Sequence, residues 1–444
     1  MFSQRMDRRD FMRIAAATGL TGTLPGSLFA QPGAANRPNI VLIMADDLGY
    51  ECIGANGGRS YNTPVIDKLA REGARFNHCH SQPLCTPSRV QIMTGMYNVR
   101  NYTGFGKLHR SQTTFAHLLK ARGYATAIAG KWQLGDKPDD AQHFGFNASC
   151  LWQQTQGRTD QQKHDTRYPN PRLDINGETQ QFDGAYGPDV CTEFLCKFME
   201  ENRTKPFFAY YPMILPHCPF APTPDSPEYN PANRGSRRYK GNPKYFGDMV
   251  TYMDKLVGRI VDKLEALGLR DNTLVVFTGD NGTDEPIVSQ LGDREWAGGK
   301  GSMTDAGTHV PLIANWPGKI DRGVTRDDLV DFSDFLPTFC DLAGEPIPDT
   351  LPIDGRSFLP QLLGKEGDPR QWIYCWYENK RGKTQAWARN RQYKLYDTGE
   401  LYDVPADPLE RQPIQNPSPD VQRAHAMLQP VLDHYVKAHR SALG

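Results

Sequence analysis

Several short runs of almost uninterrupted apolar residues each stop at a polar or charged side chain, and this pattern narrows the folds open to the chain. NIVLIMA (39–45) runs into Asp46-Asp47, YATAIAG (124–130) into Lys131, PFFAYYPMIL (206–215) into Pro216-His217, and TLVVFTG (273–279) into Asp280-Asn281. A fifth run, VPLIANW (310–316), follows a glycine-rich stretch containing Lys300. Runs without polar alternation belong to strands buried on both faces, the environment of a parallel sheet. Helical patterns separate them, at 63–74, after Cys85, and at 113–123, 188–202 and 245–268. This alternation predicts an α/β fold with a large, mostly parallel sheet sandwiched by helices. Ligands of such sheets sit beyond the carboxyl ends of the strands. The polar residues at the run ends therefore converge on one edge.

From about residue 366 the texture changes. WIYCWYEN, QAWARNRQYKLYD and ELYDVPADPLERQPI read as short antiparallel strands, followed by a helix over 419–440. A large α/β domain over 36–365 and a small C-terminal subdomain over 366–444, an antiparallel sheet plus a helix, are expected. Residues 222–244 are rich in Pro, Gly and Asn and predict a long loop; it carries Arg234, Arg237, Arg238, Lys240 and Lys244. Ahead of the domain, MDRRDFMRIAAATGLTGTLPGSLFA pairs Arg8 with Arg9 before a weakly apolar stretch, the twin-arginine pattern of bacterial export. Residues 1–35 are read as that signal and the mature protein as periplasmic or secreted. No apolar run reaches the roughly 18 residues of a membrane span. Lys plus Arg equal Asp plus Glu at 51 each, which argues against nucleic acid as a bulk partner. Nine cysteines without a CxxC give no support to a zinc or thioredoxin-like motif and leave disulfides open.

The stretch PLCTPSRVQIMTG (83–95) places a cysteine at the mouth of a helix. Thr86-Pro87 read as its start, with Cys85 just before the first turn and Arg89 at i+4. Orphan N–H groups and the dipole favour negative charge there, so an anion site around a sulfur atom is expected. Asp46, Asp47, Asp280 and Asn281 offer only oxygen ligands, which suits a hard divalent cation, Ca²⁺ ahead of Mg²⁺. One Asp-Asp after a strand is ordinarily a cap or turn; a second pair of oxygen donors, Asp280-Asn281, after another strand favours the metal. Lys131, Lys300 and Arg89 add positive charge for a tetrahedral anion, and His217 stands as a proton donor.

Taken together these residues resemble the type I, formylglycine-dependent sulfatases of the alkaline phosphatase superfamily. The family signature C-x-P-x-R reads here Cys85-Thr-Pro87-Ser-Arg89, and NIVLIMADDLGY, GKWQLG, LPHCPF, FTGDNG and GKGSMTDAGTHVPLIANWPG follow the family's order. The resemblance implies that a maturation enzyme oxidises Cys85 to formylglycine, whose hydrate sits on one Ca²⁺. Asp46, Asp47, Asp280, Asn281 and residue 85 itself would hold that ion. One hydroxyl of the hydrate would attack sulfur with Asp280 as base. Lys300 and His217 would ease departure of the alcohol, and Lys131 and Arg89 would fix hydrate and anion. The second hydroxyl then expels sulfate, a step closed to serine. The family usually reads G-K-W-H-L-G, whereas this chain has Gln133 at the histidine position. A neutral amide takes no proton, so Gln133 is assigned the orientation of the hydrate, with water or another group as acceptor. His80 is a possible substitute, and His309 stands where the family more often has arginine.

The implied activity is hydrolysis of a sulfate ester. Export, the basic loop and the aromatics around Trp152 point to a sulfated carbohydrate. The alternatives are a phosphate or phosphonate ester hydrolase on the same scaffold and a non-catalytic binder of sulfated glycans.

Overall fold

A computed structural model describes residues 37–379 and 381–442; the twin-arginine segment lies outside them. Twelve strands precede the C-terminal region: β1 (Asn39–Ala45), β2 (Ala74–His80), β3 (Ala125–Lys131), β4 (Ala148–Trp152), β5 (Arg172–Ile175), β6 (Glu178–Gln181), β7 (Phe207–Pro212), β8 (Thr273–Gly279), β9 (Val288–Leu291), β10 (Arg294–Ala297), β11 (His309–Asn315) and β12 (Val324–Asp331). Ten of them form one sheet in the order β12-β2-β11-β8-β1-β7-β3-β4-β5-β6, while β9 and β10 form a separate hairpin.

Parallel pairing holds the sheet centre, where β1 lies between β7 and β8 and β3 follows on β7. Successive residues of β1 serve opposite faces. Val41, Ile43 and Ala45 pack with the helices Pro64–Arg71, Gly187–Glu201 and Phe246–Ala266. Ile40, Leu42 and Met44 pack with Cys85–Thr94, Phe115–Ala121 and Phe335–Ala343. Both faces are thus covered, which is why these strands read as unbroken apolar runs. Gly130 of β3 has φ +124°, and a Cβ there would stand 2.0 Å from the carbonyl oxygen of Pro212, so only glycine lets β3 and β7 close up beside the site.

β11 departs from the parallel set: it runs antiparallel to both β8 and β2. Its first residues therefore lie at the edge where β8 ends, and the loop before it, carrying Lys300, arrives at that edge. The helix expected over 63–74 ends at Arg71, because Ala74 already belongs to β2. That helix is capped from outside: Asp254 accepts hydrogen bonds from the backbone N–H groups of Val65 (3.0 Å) and Ile66 (2.9 Å). Asp254→Ala should therefore lower unfolding free energy by about 1–2 kcal/mol, read from denaturant midpoints at constant slope.

Four further strands, β13 (Ile373–Glu378), β14 (Thr384–Arg389), β15 (Tyr393–Tyr396) and β16 (Leu401–Asp403), make a small antiparallel sheet in sequential order. The closing helix Pro419–Ala442 lays Val421, Leu428, Leu432 and Tyr435 against Tyr374, Trp376 and Leu395 of that sheet. All nine cysteines are buried and free, so the open question of disulfides resolves to none in this structure. No described helix is long and apolar enough to cross a membrane.

Candidate active site

The register Ala45↔Gly279 between β1 and β8 sets two pairs of polar residues side by side at the carboxyl edge. The backbone N–H of Asp47 donates to Asp280 Oδ1 (3.0 Å), and Asn281 Nδ2 donates to Asp47 Oδ1 (2.9 Å). Asp46, Asp47, Asp280 and Asn281 are all fully buried. Asp47 sits at φ +64°, a left-handed conformation that an aspartate tolerates and that turns its carboxylate back over the strand end.

Three cations meet these carboxylates. Lys131, at the end of β3, donates to both oxygens of Asp46 (2.9 and 2.7 Å). Arg89 reaches Asp280 Oδ2 (2.9 Å) and the carbonyl of Lys131 (3.0 Å). Lys300 donates to Asp47 Oδ2 (2.5 Å). Burial pushes the Asp46 and Asp47 carboxyls up from their usual range, while Lys131 and Lys300 respectively pull them back. Despite its own burial, Lys300 is held well above the ordinary lysine range by Asp47.

Cys85 is the first residue of the Cys85–Thr94 helix, and no side chain caps that end. The expected cap, Thr86, instead donates to Gln133 Oε1 (3.3 Å) and accepts from the N–H of Gly106 (3.1 Å). The helix starts two residues earlier than a Thr86 cap with Pro87 first would have it, because Pro87 is tolerated anywhere in a first turn. The Cys85 thiol donates to Gln133 Oε1 (2.7 Å), and Gln133 is held at φ +56° to receive it. Arg89 leans towards the carboxylates, not over the helix end. Burial pushes the Cys85 thiol up, with Lys131 and Lys300 opposing; an unmodified thiol here is no thiolate nucleophile.

His217 completes the edge. Its Nδ1 lies 2.8 Å from Arg167 Nη1, and its Nε2 lies 3.1 Å from Lys300 Nζ and 3.5 Å from Asp47 Oδ2. Burial, then Lys300, Lys131 and Arg167, hold its pKa well below the ordinary histidine value, so the ring is neutral at neutral pH. Arg167 was not legible in the sequence: it lies in irregular chain with no motif around it. Asp165 pairs with it (2.9 Å), and its guanidinium lies 4.1 Å from the Trp152 ring. His80, the possible proton acceptor, is absent from the cavity. It is buried and stacked on His309 (4.9 Å), which stacks in turn on Tyr50 (4.2 Å). The small sheet braces the Lys300 loop from behind: Trp387 Nε1 donates to the Met303 carbonyl (2.8 Å), and Arg389 and Lys394 pair with Asp305 (2.7 and 3.0 Å).

Cys85, Lys131, Gln133, His217 and Lys300 line one cavity of about 390 Å³, whose lining contains no carboxylate. Beneath it the donors fit a hard cation. Asn281 Oδ1 is buried without a hydrogen-bond partner, and oxygens of Asp46 and Asp280 lie with the Cys85 sulfur all within 4.8 Å of one another. Oxygen-only carboxylate and amide donors of this kind suit Ca²⁺.

Two family models match the chain: Sulfatase over residues 38–345, and N-sulphoglucosamine sulphohydrolase, C-terminal, over 292–437. Arylsulfatase A of Homo sapiens is 34% identical over 388 residues, covering 78% of this chain and 72% of that protein. Among solved structures, BT4656 in complex with its substrate D-glucosamine-2-N,6-O-disulfate superposes with a TM-score of 0.74 at 25% identity, covering 91% of this chain and 98% of that one. Ps i-CgsB in complex with k-i-k-neocarrahexaose gives 0.72 at 26% identity, covering 85% and 88%.

Proposed function

The chain belongs to the sulfatase family of sulfuric ester hydrolases, and on that premise we propose that it removes sulfate from a sulfated carbohydrate through a formylglycine made from Cys85. The observation that carries this reading is the Cys85 thiol, at a buried helix start, lining one cavity with Lys131 and Lys300 directly above a cation-ready set of buried oxygens. Two structural relatives hold sugars, a glucosamine disulfate and a neocarrahexaose, which supports carbohydrate as the substrate class. Residues 1–35 would direct export by the twin-arginine route. Residues 36–365 would carry the chemistry, and 366–444 would steady the Lys300 loop.

Asp46, Asp47, Asp280 and Asn281 would hold a Ca²⁺ ion together with residue 85. That ion supplies positive charge for a sulfate oxygen and for the hydrated aldehyde. Gln133 Oε1, which now accepts from Cys85, would accept from a hydroxyl of that hydrate and fix its rotation. Asp280 Oδ2 is the base nearest Arg89, which keeps it oriented. Lys131 and Arg89 place positive charge around the anion. At the opposite side, Lys300 is the charged donor for the departing ester oxygen. His217, neutral and flanked by Arg167 and Lys300, holds that ammonium in place.

Sulfate and phosphate esters of the same alcohol, assayed side by side, test the reaction: sulfate release should exceed phosphate release by orders of magnitude, and the reverse ranking overturns it. Gln133→His tests the amide. An imidazole there supplies a proton acceptor, so the steady-state rate should rise relative to the pre-steady-state burst above the pKa of the ring. Unchanged burst and steady-state rates would remove Gln133 from sulfate release.

A further inference from the structure

The four cations of the floor and back wall are matched by carboxylates: Lys131 by Asp46, Lys300 by Asp47, Arg89 by Asp280 and Arg167 by Asp165. Arg158 also lines the cavity, and among the described residues it forms no ion pair. Its guanidinium lies over the Tyr239 ring, 4.2 Å from the centroid. Stacking occupies the face of the fork and leaves its edge N–H donors for an anion. The Tyr239 ring in turn stands 6.4 Å from that of His217. Arg158 is therefore one ring beyond the side where the alcohol departs, away from the carboxylates that surround the reacting sulfate.

The main chain of Arg158 is also fixed. Its carbonyl accepts from both the N–H and the hydroxyl of Thr166 (3.2 Å each), and the Thr166 oxygen takes the indole N–H of Trp152 (3.1 Å). Tyr239 is tethered through its neighbour Lys240, which holds both oxygens of Asp284 at 2.7 Å. The basic loop is mostly engaged elsewhere: Arg234 contacts Asp160, Arg237 donates to His164, and Lys244 pairs with Glu228. An arginine without a carboxylate, with its main chain pinned at the rim of an otherwise neutralised cavity, is placed to meet a second anion. We propose that Arg158, stacked on Tyr239, binds a second negative group of the substrate, so that the preferred saccharide unit carries a second sulfate or a carboxylate besides the ester that is cleaved. This rests on the carbohydrate reading above. A cavity of about 390 Å³ admits one such sugar unit.

The test uses the matured enzyme and paired probes, each a sulfated monosaccharide with and without a second sulfate, D-glucosamine 6-O-sulfate and D-glucosamine-2-N,6-O-disulfate among them, with p-nitrophenyl sulfate as a reference. In at least one pair kcat/KM should favour the dianionic member about tenfold or more, a preference that falls as salt is raised. Arg158→Ala should bring that pair to near parity, mainly through KM, and Arg158→Lys should restore part of the preference. Equal rates on both members of every pair in the unaltered enzyme would overturn the second site while leaving carbohydrate sulfatase activity standing. So would a preference that survives Arg158→Ala, or an equal fall on all three kinds of substrate. Turnover of p-nitrophenyl sulfate with no saccharide cleaved would instead sink the carbohydrate reading, and the second site with it.

Discussion

Cys85→Ala should lower sulfate release by roughly 10⁴- to 10⁶-fold, the scale on which removal of a covalent nucleophile acts. The fold should survive, since the side chain contributes one hydrogen bond, to Gln133, and little volume. Unconverted Cys85→Ser sharpens the point. A serine oxygen can take sulfate once, but its ester then has no second hydroxyl to expel the group, so at most one turnover and a sulfated peptide are expected. The thiol itself offers no alternative route, because burial keeps it protonated. Peptide mass spectrometry of active enzyme should find an aldehyde at residue 85. A free thiol there, in protein that cleaves sulfate esters at full rate, would overturn the assignment.

Asp280→Ala should cost both activity and stability. The carboxylate accepts from the Asp47 backbone and pairs with Arg89, whose side chain is 1% exposed. Without it the guanidinium keeps only the Lys131 carbonyl and a 3.9 Å approach to Asp46. A buried charge stripped of its partner costs about 3–5 kcal/mol, so the melting temperature should fall markedly and kcat by about 10³-fold or more. Asp280→Asn keeps the shape and one acceptor, and should recover much of the stability without the activity. Calcium should raise the melting temperature of the unaltered protein and leave that of Asp280→Ala nearly unmoved. Equal calcium-dependent shifts in both would remove Asp280 from the cation site.

How far the molecule could be read from its residues follows from burial. β1 and β8 were legible to the residue, as NIVLIMA and TLVVFTG, because both faces of each are covered and no charged side chain interrupts them. β2 was not: ARFNHCH interleaves Arg75, Asn77 and His78 with apolar positions, and it hid behind the end of a helix pattern. β5 and β6 are only four residues each, with β6 polar and at the sheet edge, so their pairing comes from neighbours and not from their own composition. The antiparallel direction of β11 likewise has no local signature. Within the site, residues at strand ends or in the Cys85 motif could be found by position. Arg167, Asp165, Arg158 and Tyr239 come from irregular segments, and only tertiary structure brings them to the cavity.

The sealed sulfhydryls impose an order of events. Residue 85 is 2% exposed, on a helix with every residue buried, so the proposed maturation enzyme would have to reach it before the polypeptide closes around it. Eight other reduced thiols lie in the same interior. A nascent chain opened to an oxidising compartment would offer all nine to wrong cross-links, whereas a finished globule offers none. On the proposed route, conversion of residue 85 would precede folding and folding would precede export, and production by a secretory host that threads chains unfolded should then yield scrambled, inactive material.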